Sequence, residues 1–309
     1  MTKLSEKLHM AKHIDTITSK DGSVIKYVFE KTYTGTPYIL EVTYIDRKDG
    51  RNIICVPTQS MCNMGCKFCH TTDYIGKIPV MNIDAQTLVS TTFYVMKDLR
   101  LINSDKVFLL SFMGCGEPLE NMTNVLHTIN DLSDREELGS DRRFAIATSI
   151  PRKNWLPLLD FADKLSNPDK VKLHFSMHYT TDEVRKKYMP KAMELDKALK
   201  ILDLYKAITG SVIEVHYTLM DGINDTMNDL YRLGGLLKSR DFQVKLLYYN
   251  KREALDAEKS PENKVSAFKE TLETYNISTT YYIPPGLDVG ASCGQFLMDH
   301  YIKAESNKE

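Results

Sequence analysis

From residue 51 to residue 284 the chain alternates between short β-branched apolar runs and longer stretches of helical period. The strand runs are 51–57, 106–112, 143–149, 171–177, 212–220 and 243–250. Helical stretches follow at about 84–99, from 121, at about 155–165, 181–209, 225–240 and 263–275. Strands separated by crossover helices build a parallel sheet, because each helix returns the chain to the start of the next strand. Six units fall short of a closed eight-unit barrel. The expected fold is therefore α/β, an open partial (β/α)6 barrel over residues 51–300. One more extended stretch is read at 278–284, and residues 301–309 as a frayed tail. Residues 1–50 are read as a small N-terminal extension, with extended pieces at 24–29 and 38–45 around a glycine-containing turn.

In such folds chemistry sits at the C-terminal ends of the strands. The polar residues with chemical potential gather there. They are the cysteine loop after the first strand, Gly114–Glu117 after the second, Thr148–Ser149 after the third, Ser176–His178 after the fourth and Asn250 after the sixth. This shared position argues for one site.

The first of these loops reads CNMGCKFC, with Cys62, Cys66 and Cys69 in a C-x3-C-x2-C pattern. Three thiolates at this spacing can wrap a 4Fe–4S cubane and leave one iron without a protein ligand. Such an iron can chelate the amino and carboxylate groups of S-adenosylmethionine (SAM). Electron transfer to the sulfonium then yields methionine and a carbon radical. Phe68 would shield the cluster. A three-cysteine zinc site or buried thiols are the rival readings. Structural zinc takes four ligands, and only His70 stands at a suitable spacing for the fourth. Gly116 lets backbone approach a ligand closely, and Glu117 is a candidate acceptor for the methionyl ammonium. Ser176, Met177 and His178 end the fourth strand, and Asn250 the sixth. They are read as contacts to the ribose, carboxylate or adenine edge.

Composition narrows the setting. The 309 residues carry a formal net charge of −1, so no basic footprint marks a nucleic-acid binder, although a neutral total can hold a local basic patch. The N-terminus is too polar for a secretory signal, and no apolar run approaches the roughly 18 residues of a membrane span. A cytoplasmic monomer is expected.

Cys55 and Cys293 would each alone be read as a buried small hydrophobe. Together with CVPTQSMCNMGCKFC at 55–69, GCGEPLEN at 114–121, SMH at 176–178, GIND at 222–225, Asn250 and ASCGQ at 291–295, they match one pattern. Over about residues 20–300 the chain resembles the RlmN/Cfr family of radical-SAM RNA methyltransferases, which modify carbon 2 or carbon 8 of adenine. The resemblance implies that Cys293 is methylated by one SAM and that a radical formed from a second SAM activates that methyl group. It implies that the methylene adds to the adenine ring and that Cys55 releases the product by forming a disulfide with Cys293. Glu41 matches the family's glutamate that takes the ring proton. RNA (rRNA or tRNA) is then the implied substrate and a flavodoxin-type protein the implied electron donor.

The departures matter equally. The family carries Ser-Thr-Ser after the third strand, whereas this chain reads Ala147-Thr148-Ser149, which makes Ser149 the expected substitute SAM contact. Cys115 replaces a methionine and is read as a packed thiol. The family's N-terminal helical RNA-binding domain has no room ahead of Ile14, and Tyr248-Tyr249-Asn250 lacks the proline-rich continuation. Arg185, Lys186, Lys187 and Lys191 are then the candidate phosphate contacts, against the alternative of a solvated helix face. Two other readings stay open: the same chemistry on a small or non-ribosomal adenine-containing substrate, and a radical-SAM activase acting on protein.

Overall fold

A computed structural model describes residues 11–47 and 49–291. Its frame is one ten-stranded sheet in strictly sequential order. The strands are β1 (Lys12–Thr18), β2 (Val24–Tyr33), β3 (Thr36–Arg47), β4 (Arg51–Cys55) and β5 (Val107–Phe112), followed by β6 (Arg142–Thr148), β7 (Val171–Ser176), β8 (Ile213–Leu219), β9 (Gln243–Tyr248) and β10 (Thr279–Tyr282). From β1 to β4 neighbours run antiparallel; from β4 to β10 they run parallel. The two end strands do not pair with each other, so the sheet stays open.

Among the described residues there are seven α-helices: α1 (Ala85–Asp98), α2 (Met122–Ser133), α3 (Pro157–Lys164), α4 (Asp182–Tyr188), α5 (Leu195–Thr209), α6 (Met227–Leu237) and α7 (Glu262–Thr274); all but the short α4, which packs beside the cysteine loop, cover the outer face. Their buried faces supply Leu88, Val95, Ile129, Phe161, Leu202, Leu233 and Phe268. These pack on Ile54, Leu110, Phe144, Leu173, Val215 and Val244 of the sheet in one core. Each such side chain contributes about 1.5–3 kcal/mol on leaving water. Helix starts follow ordinary capping chemistry: Asp84 accepts from the Thr87 amide, and Thr226 and Asp229 form a reciprocal box. Among the described residues, no helix is long and apolar enough to cross a membrane.

Three details depart from the sequence reading. The helical stretch over 181–209 resolves into two helices, because Pro190 disfavours helical backbone at the residue before it and α4 stops at Tyr188. The extended stretch near 278–284 pairs in parallel with β9 and becomes a seventh parallel strand. Ahead of residue 50 there are three strands rather than two, and β3 joins them to β4 in the same sheet.

Because the sheet curves, alternate residues of the parallel strands face inward. Glu214, His216 and Thr218 of β8 face in, while Ile213, Val215 and Tyr217 face the helices. The inner side encloses a cavity of about 880 Å³.

Candidate active site

Cys55 is the last residue of β4, in register with Thr43 of β3 and Ser111 of β5. The chain then turns across the top of the sheet into the cysteine loop. Backbone bonds tie it down: the Thr58 and Gln59 amides donate to the Cys115 carbonyl at 2.8 and 3.1 Å, and the Ser60 amide to Met81 at 2.9 Å. Gly114 and Gly116 permit this close approach. A Cβ at Gly114 would lie 2.7 Å from the Val56 carbonyl oxygen. One at Gly116, whose φ is +110°, would lie 2.6 Å from Thr58 Oγ1. These glycines thus serve loop-on-loop packing, not only the ligand approach expected of Gly116.

The three loop cysteines, each half-buried, lie near enough to influence one another. Burial pushes the Cys62 thiol up to about 12, and the nearby Cys69 adds to it. The Cys66 thiol is driven well above the usual range by burial and then by Cys62. Cys69 is raised by burial, which hydrogen bonding to Thr71 partly offsets. Desolvation thus keeps all three as thiols until a cation compensates their charge, and as thiolates they are the donor set an iron–sulfur cluster needs. The loop is clamped from three sides. Arg252, beyond β9, binds Asp73 through Nε at 3.0 Å and donates to the Lys67 carbonyl. The Lys67 amide donates to Tyr188 at 2.8 Å. Asn121 donates to the Thr58 and Ile83 carbonyls, both at 2.8 Å.

Glu117 is buried and accepts from Thr148 Oγ1 at 2.5 Å, the Ser149 amide at 3.0 Å and Ser149 Oγ at 2.9 Å. Burial nevertheless raises its pKa. Ser149 therefore stands against Glu117, at the end of β6. His178 has a positive φ of 55° and is buried. Its Nδ1 accepts the Thr218 amide at 3.1 Å, which fixes the proton of the neutral ring on Nε2. Burial holds its pKa well below the usual histidine range. Phe68 meets the His178 ring edge-on at 5.0 Å, which joins the cysteine loop to the end of β7. Met177 is fully buried, Ser176 is half-buried, and Asn250 is buried at the end of β9.

Glu41 lies on β3. Lys26 of β2, itself buried, donates to its Oε2 at 3.0 Å and to the Gly290 carbonyl at 2.7 Å. Glu41, Lys26, Cys55, Ser111, Gly290 and Ala291 all line the same cavity. Cys293 lies outside the described residues, as does the tail at 301–309.

One expectation fails. Arg185 is 1% exposed and does not face solvent as a phosphate contact would. Its guanidinium binds the carbonyls of Ser149, Ser176, Met177 and Met193, tying the ends of β6 and β7 to the chain after α4. Lys191 instead donates to the Asn63 carbonyl in the cysteine loop. Lys186 and Lys187 are exposed. The Arg252–Asp73 clamp had no local signal in the sequence, since 179 residues separate its partners.

An open parallel barrel with three cysteines in the loop after its first parallel strand defines the radical-SAM class of enzymes. No family model matches the chain. It is 32% identical over 313 residues to the "Probable dual-specificity RNA methyltransferase RlmN" of Clostridium perfringens (strain SM101 / Type A), covering 99% of this chain and 84% of that one. It is 32% identical over 295 residues to the "Dual-specificity RNA methyltransferase RlmN" of Campylobacter fetus subsp. fetus (strain 82-40), covering 90% and 79%. The solved radical SAM methyltransferase from Sphaerobacter thermophilus superposes with a TM-score of 0.79 at 24% identity, over 96% of this chain and 85% of that one. The chain belongs to the RlmN family.

Proposed function

We propose that the protein is a radical-SAM methyltransferase that places a methyl group on an adenine ring carbon, carbon 2 or carbon 8, of RNA, with Cys293 as methyl carrier. The supporting observation is the shared cavity. Cys55, Glu41 and the Gly290–Ala291 segment, two residues short of Cys293, line one chamber.

Cys62, Cys66 and Cys69 would hold the 4Fe–4S cluster. Glu117, Ser149, Ser176, Met177, His178, Asn250 and the Gly116 turn stand at the strand ends where SAM would lie. When bound, cluster and SAM supply the methyl group and a carbon radical that activates it. Adenine carbons 2 and 8 are not nucleophiles, so a radical route is required. Cys293 carries the methyl as a thioether; after activation its carbon adds to the ring, and the ring regains aromaticity by losing one proton and one electron, which a cluster held by Cys62, Cys66 and Cys69 would take back. Glu41 takes the ring proton, its carboxylate held by Lys26. Cys55 then attacks the Cys293 sulfur: a sulfur–sulfur bond forms as the sulfur–carbon bond breaks, and the product carbon leaves with the bonding pair and takes up a proton. A flavodoxin-type protein would deliver electrons.

The test is mass spectrometry of protein purified with its cluster intact. A methyl group on the Cys293 peptide is expected, and Cys55→Ala should accumulate a covalent adduct with the substrate. The adduct's mass separates RNA from a small adenine-containing metabolite. A Cys293 peptide that is never methylated overturns the carrier mechanism and favours a protein activase.

A further inference from the structure

The inner wall of the barrel carries a polar group that the reaction above does not use. His174 of β7 pairs in register with Glu214 of β8, and His216 lies two residues further along the same inward face. All three side chains are buried yet line the cavity. His174 Nδ1 lies 2.8 Å from His216 Nε2 and 3.0 Å from Glu214 Oε1, and His216 Nε2 is 3.4 Å from that same oxygen.

We propose that His174, Glu214 and His216 form a second metal site, binding one divalent first-row ion such as Mn²⁺ or Fe²⁺ inside the barrel. An ion about 2.1 Å from each ligand needs ligand atoms about 3.0 Å apart at right angles, or about 3.4 Å apart in a tetrahedron. The observed triangle of 2.8, 3.0 and 3.4 Å falls close to this range before any adjustment. Two imidazoles and one carboxylate on one face, with the remaining positions open to a cavity, are the ligand set that takes Fe²⁺ and similar ions. Adjacent strands hold the three donors, so the geometry does not depend on a loop.

The outer contacts are built as well. Lys172 Nζ holds the second carboxylate oxygen of Glu214 at 2.6 Å and is itself held by Gln243 Oε1 at 3.0 Å. Lys245 contacts Glu214 Oε1, the oxygen facing both imidazoles. Its ammonium is thus a built-in cation at the edge of the site. It is a quarter exposed, so it can turn into the cavity when an ion arrives. The site is distinct from the cysteine loop, as its ligands come from β7 and β8 alone.

The test titrates the full-length enzyme, with its cluster oxidised and diamagnetic, with Mn²⁺ under anaerobic conditions. The six-line electron paramagnetic resonance signal of the free ion is the readout. One Mn²⁺ per chain should leave the free pool. Lys245→Met should bind it about tenfold more tightly, since a competing charge has gone. Glu214→Gln, which keeps the side-chain volume, and the double variant His174→Ala/His216→Ala should lose it. Cys62→Ala/Cys66→Ala/Cys69→Ala should keep it, because the hard ion ignores thiols. Failure of both the wild type and Lys245→Met to bind overturns the proposal. So does binding that survives in Glu214→Gln and the double histidine variant, or that vanishes with the cysteines.

Discussion

The cysteine loop and the inner wall of β7–β9 are both polar regions buried in one barrel, but they are built in opposite ways. In the loop, Cys62, Cys66 and Cys69 lie within eight residues, and short-range backbone bonds such as Cys69 to Cys66 at 3.0 Å set the spacing. On the wall, His174 and Glu214 are 40 residues apart in sequence and meet only because β7 and β8 pair in register. The loop states its chemistry locally and then needs clamps from elsewhere. The wall is rigid by construction but has no local signature. Burial therefore acts differently on each. It raises three thiols that a cation must compensate. On the wall it lowers the histidines, His174 to about 3, while the two histidines and Lys245 overcome the burial of Glu214 and keep its carboxyl far below the usual range.

The largest expected effect separates the regions outright. Cys62→Ala should abolish cluster binding, read as iron and sulfide per chain, and activity with it, while the thermal unfolding midpoint moves little. A cluster retained at full occupancy would break the assignment of the loop. Next is Arg185→Met, at the joint between loop and wall. Removing the guanidinium strands four buried carbonyls, so a loss of about 3–5 kcal/mol in denaturant unfolding is expected. A loss below about 1 kcal/mol would mean that water replaces those bonds. Gly116→Ala should cost about 2–3 kcal/mol, from the clash with Thr58 Oγ1 and the positive φ, and should lower cluster loading. Unchanged loading would show that the two loops can separate without harm to the cysteine pocket.

Much of this architecture was legible from residue types. The alternation of apolar runs located the parallel strands, since each needs a continuous or alternating apolar pattern to face helices. The cysteine spacing and the polar strand ends were legible because parallel topology carries every strand end to one rim. What escaped was long-range pairing. Arg185 reads like any basic residue of an exposed amphipathic helix beside Lys186 and Lys187. Only the fold turns that position inward, onto the carbonyls ending β6 and β7. Arg252 and Asp73 are separated by 179 residues. The inward polar wall was hidden because Glu214 and His216 alternate with Ile213, Val215 and Tyr217, the ordinary pattern of a half-exposed strand. The chain alone does not show that its polar face encloses a cavity.

The smallest effect tests whether the strand-end histidine belongs with the loop or with the wall. The folded protein holds His178 neutral, its pKa well below the ordinary 6.5, first through burial and then through the neighbouring His216. The unfolded chain binds a proton there below about pH 6.5, and the folded chain does not. Stability must therefore fall as pH drops below 6.5, by up to about 1.4 kcal/mol per pH unit for this one group. Above that pH both states are neutral and it contributes no slope. His178→Asn retains an oxygen to accept the Thr218 amide but has no titrating ring, so its unfolding free energy between pH 6.5 and 5 should decline less steeply than that of the wild type. Equal slopes would mean that His178 takes up a proton in the folded state, by breaking its bond to Thr218 and opening the contact with Phe68. The end of β7 would then move with the cysteine loop, rather than standing as a fixed part of the wall.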